Sequence, residues 1–171
     1  MKGRNVVLIG PMGTGKSTVG RALAEKLGWT FIDTDAVIEE KAGAAIPEIF
    51  AQQGEPAFRR MESETIVEAL QGEQRIVSTG GGAVLVEQNR DAMRAGGFVV
   101  ALRATEETII RRVGNDGNRP LLQGNAAERV RRLLEERKHA YDFADAAVDT
   151  TDKPVEDIVD WIASRLPGGE A

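Results

Sequence analysis

Three stretches of this chain carry residue types that can handle a phosphorylated ligand. Gly10-Pro11-Met12-Gly13-Thr14-Gly15-Lys16-Ser17-Thr18 fits the G-x-x-x-x-G-K-[ST] pattern. Glycines lack a Cβ, so Gly13 and Gly15 let the backbone N–H groups turn inward around a phosphate. A helix opening near Lys16 adds its own unpaired N–H groups and the positive end of its dipole. Lys16 can then reach the β- and γ-phosphates, and the Ser17 hydroxyl can ligate Mg²⁺. The bland alternative is a tight glycine-rich turn. The full pattern points instead to a nucleoside triphosphate and leaves the reaction open.

The second stretch is Asp33-Thr34-Asp35. Alone, Asp35 reads as a cap for a helix opening at Ala36. Beside a phosphate loop the pair has two further uses, because Mg²⁺ needs a carboxylate and a hydroxyl acceptor needs a base. Asp33 is then expected to serve the metal through water, and Asp35 to serve as base. The third stretch is Gly80-Gly81-Gly82, which permits close backbone approach to a ligand or simply forms a turn.

Arginines complete the set. Arg59 and Glu62 lie three residues apart on a helix, a spacing that otherwise means a surface ion pair of little worth. Arg137, near the end of a long helix, has the same bland reading. Arg119 stands in a glycine-flanked loop, Gly114 to Leu122, beside Pro120. A loop carrying one fixed arginine suits a lid that excludes water and stabilises charge on a transferring phosphoryl group.

The elements that must position these residues follow from the apolar pattern. Val6–Ile9, 30–32, 75–78, 98–102 and 146–148 read as strands. Helices are expected over 16–27, 36–41, 46–53, 55–70, 84–95, 105–113, 126–140 and 154–166, the last with Pro154 at its start. Short, uniformly apolar strands alternating with helices indicate a parallel sheet covered on both faces, an α/β three-layer sandwich. Ligands of such sheets sit beyond the carboxyl ends of the strands. Gly10–Ser17, Asp33–Asp35 and Gly80–Gly82 follow the first three strands, so one site can gather them.

Composition narrows the function classes. The chain has 171 residues, which fits a single domain over 1–171. Its net charge of −5 argues against a broad face for nucleic acid. Cysteine is absent, which removes thiolate nucleophiles and Cys-type zinc sites and suits a reducing compartment. The apolar run Val6–Ile9 breaks at Gly10, too short for a signal-peptide core or a membrane span. No membrane partner, a cytoplasmic location and a monomeric state are expected. Arginine outnumbers lysine 16 to 6, and its planar fork grips carboxylates and phosphates in a way lysine does not.

The ordered motifs resemble the shikimate kinase family over nearly the whole chain. They are the loop Gly10–Thr18, Phe31-Ile32-Asp33-Thr34-Asp35, Phe58-Arg59-Arg60-x-Glu62, Ser78-Thr79-Gly80-Gly81-Gly82-Ala83, Arg119-Pro120-Leu121-Leu122, and Arg137 four residues before Tyr141. The resemblance implies a five-stranded parallel sheet in the order 2-3-1-4-5, with mobile substrate-binding helices over about 35–63 and a lid over about 113–125. It implies ATP with Mg²⁺ as substrate and cofactor, and phosphorylation of the 3-hydroxyl of shikimate on the route to aromatic amino acids. ATP would be held by Gly13, Thr14, Gly15, Lys16, Ser17 and Thr18, with Arg112 and Lys153 near the adenine and Arg119 over the phosphates. Ser17 and Asp33 would serve the metal. Shikimate would meet Asp35 at its hydroxyls, Arg59 and Arg137 at its carboxylate, and the backbone of Gly80, Gly81 and Gly82. Phe50 and Phe58 would wall its ring, and Glu62 would orient Arg59. Asp35, Lys16 and Arg119 are the expected catalytic residues.

Two other classes remain to be weighed. A gluconate-type sugar-acid kinase or a nucleoside monophosphate kinase would share the fold, but the Arg59–Glu62 pair together with the triple glycine argues against both. A non-catalytic nucleotide-binding module would need only the first loop. No guanine-reading N-K-x-D or T-K-x-D segment is present, which disfavours a GTP switch.

Overall fold

Five strands, β1 (Val6–Ile9), β2 (Thr30–Asp33), β3 (Arg75–Ser78), β4 (Phe98–Arg103) and β5 (Ala146–Asp149), form one parallel sheet in the order β2-β3-β1-β4-β5. This is the computed structural model of the chain, and it describes residues 5–114 and 126–167. Around the sheet run α1 (Lys16–Leu27), α2 (Thr34–Ala42), α3 (Ile46–Gln53), α4 (Glu55–Ala69), α5 (Glu87–Gly96), α6 (Glu106–Gly114), α7 (Ala126–Glu136) and α8 (Val155–Arg165).

β1 lies at the centre and all four of its side chains are fully buried. Successive side chains of a strand point to opposite faces. Val6 and Leu8 accordingly pack with Leu23 of α1 and Ile158 and Ile162 of α8 on one face. Val7 and Ile9 pack with Ile66 of α4, Met93 of α5 and Tyr141 on the other. β1 pairs with β3 (Leu8 opposite Ser78) and with β4 (Ile9 opposite Ala101), which aligns the carboxyl ends of the central strands. β2 joins the same edge, Asp33 lying opposite Ser78.

The chain leaves β1 through Gly10, whose φ of 142° suits only glycine. A Cβ there would stand 2.3 Å from the Leu102 carbonyl oxygen, so the phosphate loop can cross β4 closely only with glycine at this position.

Three elements differ from the sequence expectation by more than one residue, each for a local reason. α2 begins at Thr34 and not at Ala36, because Asp33 caps it: Oδ1 accepts from the N–H groups of Asp35 at 3.0 Å and Ala36 at 3.4 Å. The helix expected over 84–95 is split into a 3₁₀ turn, Ala83–Leu85, and α5. The turn forms because the Ala83 and Leu85 N–H groups bond the Gly80 and Gly82 carbonyls at 3.1 Å each. The helix expected over 126–140 ends at Glu136, after which three-residue turns close at Arg137, His139 and Tyr141.

Candidate active site

A concavity of about 480 Å³ opens at the carboxyl ends of β1, β2 and β3. One end is the phosphate loop. No side chain caps α1, so its first-turn N–H groups stay available beside Gly13 and Gly15, both with positive φ. The Lys16 ammonium donates to the carbonyls of Gly10 at 2.7 Å and Pro11 at 2.9 Å, which holds the cation inside the loop. Ser17 and Thr18 line the same end. Thr14 lies beneath it, buried, with its hydroxyl donating to the Pro11 carbonyl at 2.8 Å.

Asp33 stands at the junction. While Oδ1 caps α2, Oδ2 accepts from the Ser17 hydroxyl at 3.4 Å. Its cap places Asp35 in the first turn of α2, facing the glycine loop after β3. A Cβ built on Gly80 would stand 3.1 Å from Asp35 Oδ1 and 3.2 Å from Glu62 Oε2.

The far end is basic. Arg59 Nη1 donates to Glu62 Oε1 at 2.8 Å, and Arg59 Nε lies 3.7 Å from Glu55 Oε1. A Cβ on Gly82 would collide with the Arg59 guanidinium at 2.6 Å, and one on Gly81 would lie 3.4 Å from Arg137 Nη1. Glycine at position 82 therefore lets the Arg59 guanidinium lie against the loop, while Arg137 stands at ordinary contact distance from Gly81. Glu62 is 1% exposed, and burial pushes its carboxyl above the ordinary glutamate value; Arg59 opposes that rise and Asp35 adds to it. Phe58 is buried and Phe50 half open, their ring centroids 4.8 Å apart, and both line the concavity.

Comparison with known proteins decides what this arrangement belongs to. The family model for shikimate kinase matches residues 12–167. A shikimate kinase from Geobacter metallireducens is 47% identical over 166 residues, covering 96% of this chain and 93% of that protein. The chain belongs to the shikimate kinase family. Its fold is that of a solved shikimate kinase from Acinetobacter baumannii in complex with shikimate, with a TM-score of 0.88 and 40% identity over 94% of this chain and 90% of that one. A gluconokinase from Sinorhizobium meliloti shares the fold alone, at 23% identity and a TM-score of 0.59.

Shikimate kinase motifs distant in sequence thus meet in one hollow. It gathers Gly13, Gly15, Lys16, Ser17, Thr18, Asp33, Asp35, Phe50, Phe58, Arg59, Glu62, the three glycines, Arg112 and Arg137. Arg112 is braced, donating to the Gly13 carbonyl at 3.0 Å and to the Thr150 carbonyl at 3.3 Å. Lys153 stands outside the hollow, exposed, its charge helping to hold Asp149 below the ordinary aspartate value behind the hydrogen bonds from Thr151. Arg119 and most of the expected lid lie outside the described residues.

Two residues of the site were not singled out for a role by sequence reasoning. Buried Thr150 bonds the carbonyls of Thr14 and Arg103 at 3.1 and 3.0 Å, tying the phosphate loop to β4. Its only signal was a hydroxyl just after an apolar strand. Tyr141 donates to the Gly81 carbonyl at 2.8 Å. Its signal was its fixed distance from Arg137.

Proposed function

We propose that this chain transfers the γ-phosphoryl group of ATP to the 3-hydroxyl of shikimate, releasing ADP and shikimate 3-phosphate. The observation that carries this reading is the meeting of Arg59, Arg137 and Asp35 around Gly80–Gly82, in the same hollow as the phosphate loop. Two planar guanidinium groups suit one carboxylate, and an aspartate beside them suits a row of hydroxyls.

Asp35 accepts the proton of the 3-hydroxyl as its oxygen attacks the γ-phosphorus and the bond to ADP breaks. Lys16 leaves its carbonyl partners for the β- and γ-phosphates, and the loop N–H groups hold the rest of the triphosphate. Gly13–Thr18 bind ATP, with Arg112 and Lys153 toward the base. Phe50 and Phe58 wall the shikimate ring, and Glu62 holds Arg59 in line. Arg119 is the further residue this reading assigns to the transferring phosphoryl group.

Mg²⁺ fits the residues present. A hard cation that keeps waters and phosphate oxygens needs few protein groups, and Ser17 Oγ and Asp33 Oδ2 supply adjacent oxygens. When bound, Mg²⁺ neutralises charge on the β- and γ-phosphates. A monomer suits a hollow built from one chain, and a cytoplasmic location is part of the same proposal. No helix among the described residues is long and apolar enough to cross a membrane.

The test is coupled ADP release with shikimate, gluconate and nucleoside monophosphates in parallel. Turnover with shikimate is the expected outcome. Turnover with gluconate and none with shikimate would overturn the reading.

A further inference from the structure

The two arginines at the basic end of the hollow are held in different ways. Arg59 is anchored by carboxylates, Glu62 and Glu55. Arg137 follows α7 directly, and its guanidinium stands beside both the Tyr141 phenol and the Gly81 backbone, Nη1 lying 3.4 Å from where a Cβ on Gly81 would be. The turns after α7 fold the chain back so that the Tyr141 ring enters the core among Val7, Ile9, Ile66, Met93 and Val99, leaving the residue 6% exposed. Its oxygen reaches the glycine loop that lines the hollow and donates to the Gly81 carbonyl at 2.8 Å. A phenol has one proton to give and lone pairs to receive, so this oxygen can serve Gly81 and Arg137 together. Burial pushes the Tyr141 phenol above its ordinary value, so it stays neutral and keeps its donor.

We propose that Tyr141 is a positioning residue for the acid substrate, tying the Arg137 guanidinium to the Gly81 backbone so that both present one fixed surface to the substrate carboxylate. The inference rests on the proposed shikimate kinase activity and adds a residue to it. A neutral anchor aims Arg137 without cancelling its charge, whereas the carboxylate of Glu62 partly neutralises Arg59. A rigid core ring also fixes the guanidinium more firmly than a long flexible side chain could.

Tyr141→Phe keeps the ring in the core and removes only the oxygen. The KM for shikimate should rise about tenfold, the share of a hydrogen bond to a charged group, while kcat and the KM for ATP stay close to wild type. In an Arg137→Lys background the same change should have little further effect on KM. A shikimate KM within twofold of wild type, or a rise shared equally by ATP, overturns the proposal. A second measurement needs no variant, because Tyr141 is the only tyrosine in the chain. With ζ-¹³C-tyrosine label, its single resonance should move on saturation with shikimate, and an unmoved resonance overturns the proposal even if the variant fails to fold. A wild-type enzyme that binds no shikimate would instead sink the functional reading, which separates the two failures.

Discussion

Asp35 and Glu62 are two carboxylates a few ångströms from Gly80, yet their surroundings give them different work. Asp35 is partly open to the hollow and can meet a hydroxyl; Glu62 is sealed beneath Arg59. Asp35→Asn should lower kcat by roughly 10²–10⁴-fold with little change in the KM for ATP, the usual share of a general base. Near-normal kcat would return Asp35 to a binding role. Glu62 gives a pH signature. Its folded-state value lies above the ordinary glutamate value, so its contribution to stability is full below that ordinary value and is lost as pH rises through the folded one. Glutamine does not titrate, so the melting temperature of Glu62→Gln minus that of wild type should grow as pH rises from 4.5 towards neutrality. A difference that shrinks over that window would contradict a Glu62 carboxyl raised by burial. The place of Asp35 in the hollow was legible in the chain, because its D-x-D follows a strand beside a phosphate loop. The burial of Glu62 was not, since an i, i+3 pair reads as a solvated helix face until tertiary packing covers it.

The elements were legible where apolar runs and glycines punctuate the chain, and less so where a helical spacing outlasts the helix. Leu133, Arg137 and Tyr141 keep four-residue steps, but beyond Glu136 the hydrogen bonds are those of successive turns. The start of α2 was misjudged because the capping residue is Asp33, which the sequence reading gave only to the metal, while a cap was weighed for Asp35 alone; Asp33 is one carboxylate with two contacts. Its Oδ1 stops β2 and opens α2, while its Oδ2 faces Ser17. The two duties can be separated. Asp33→Ala should cost about 0.5–2 kcal/mol in urea unfolding, the value of a lost N-cap, and should raise the Mg²⁺ concentration needed for half-maximal activity. Asp33→Asn keeps the capping oxygen, so its stability should fall by only a few tenths of a kcal/mol, at about the parity of Asn and Asp as caps, with the Mg²⁺ requirement still raised. An unchanged Mg²⁺ requirement in the asparagine variant would leave Asp33 a cap alone.

Across the whole molecule, the sheet does the gathering: parallel strands deliver three loops to one edge, and helices on each face bury the strands that hold them there. The parallel three-layer class was legible from alternating apolar runs, but the order β2-β3-β1-β4-β5 was not, since no periodicity tells one crossover from another. The family resemblance supplied it. Nor did the pattern show how the opposite end of the sheet is closed. Asn5, just before β1, is 2% exposed and reads in sequence as an ordinary polar flank. Its Nδ2 donates to the carbonyls of Gly72 at 2.8 Å and Gly96 at 3.1 Å, and its Oδ1 accepts from the Arg75 N–H at 3.0 Å. One amide thereby ties the entries of β1, β3 and β4 together, far from the hollow. Asn5→Ala leaves two half-buried carbonyls and an N–H without that partner and should cost about 2–4 kcal/mol, since each orphaned group costs roughly 1–3 kcal/mol and neighbouring losses are not additive. Asn5→Asp keeps the acceptor for Arg75 but turns a charge toward the carbonyls of Gly72 and Gly96, so it should be destabilised at least as much as alanine. The folded fraction of either variant should keep wild-type KM values, because the site is assembled at the other edge. A loss below about 0.5 kcal/mol in urea unfolding of the alanine variant would mean that water replaces the amide and that the strand entries are held by the backbone ladder alone.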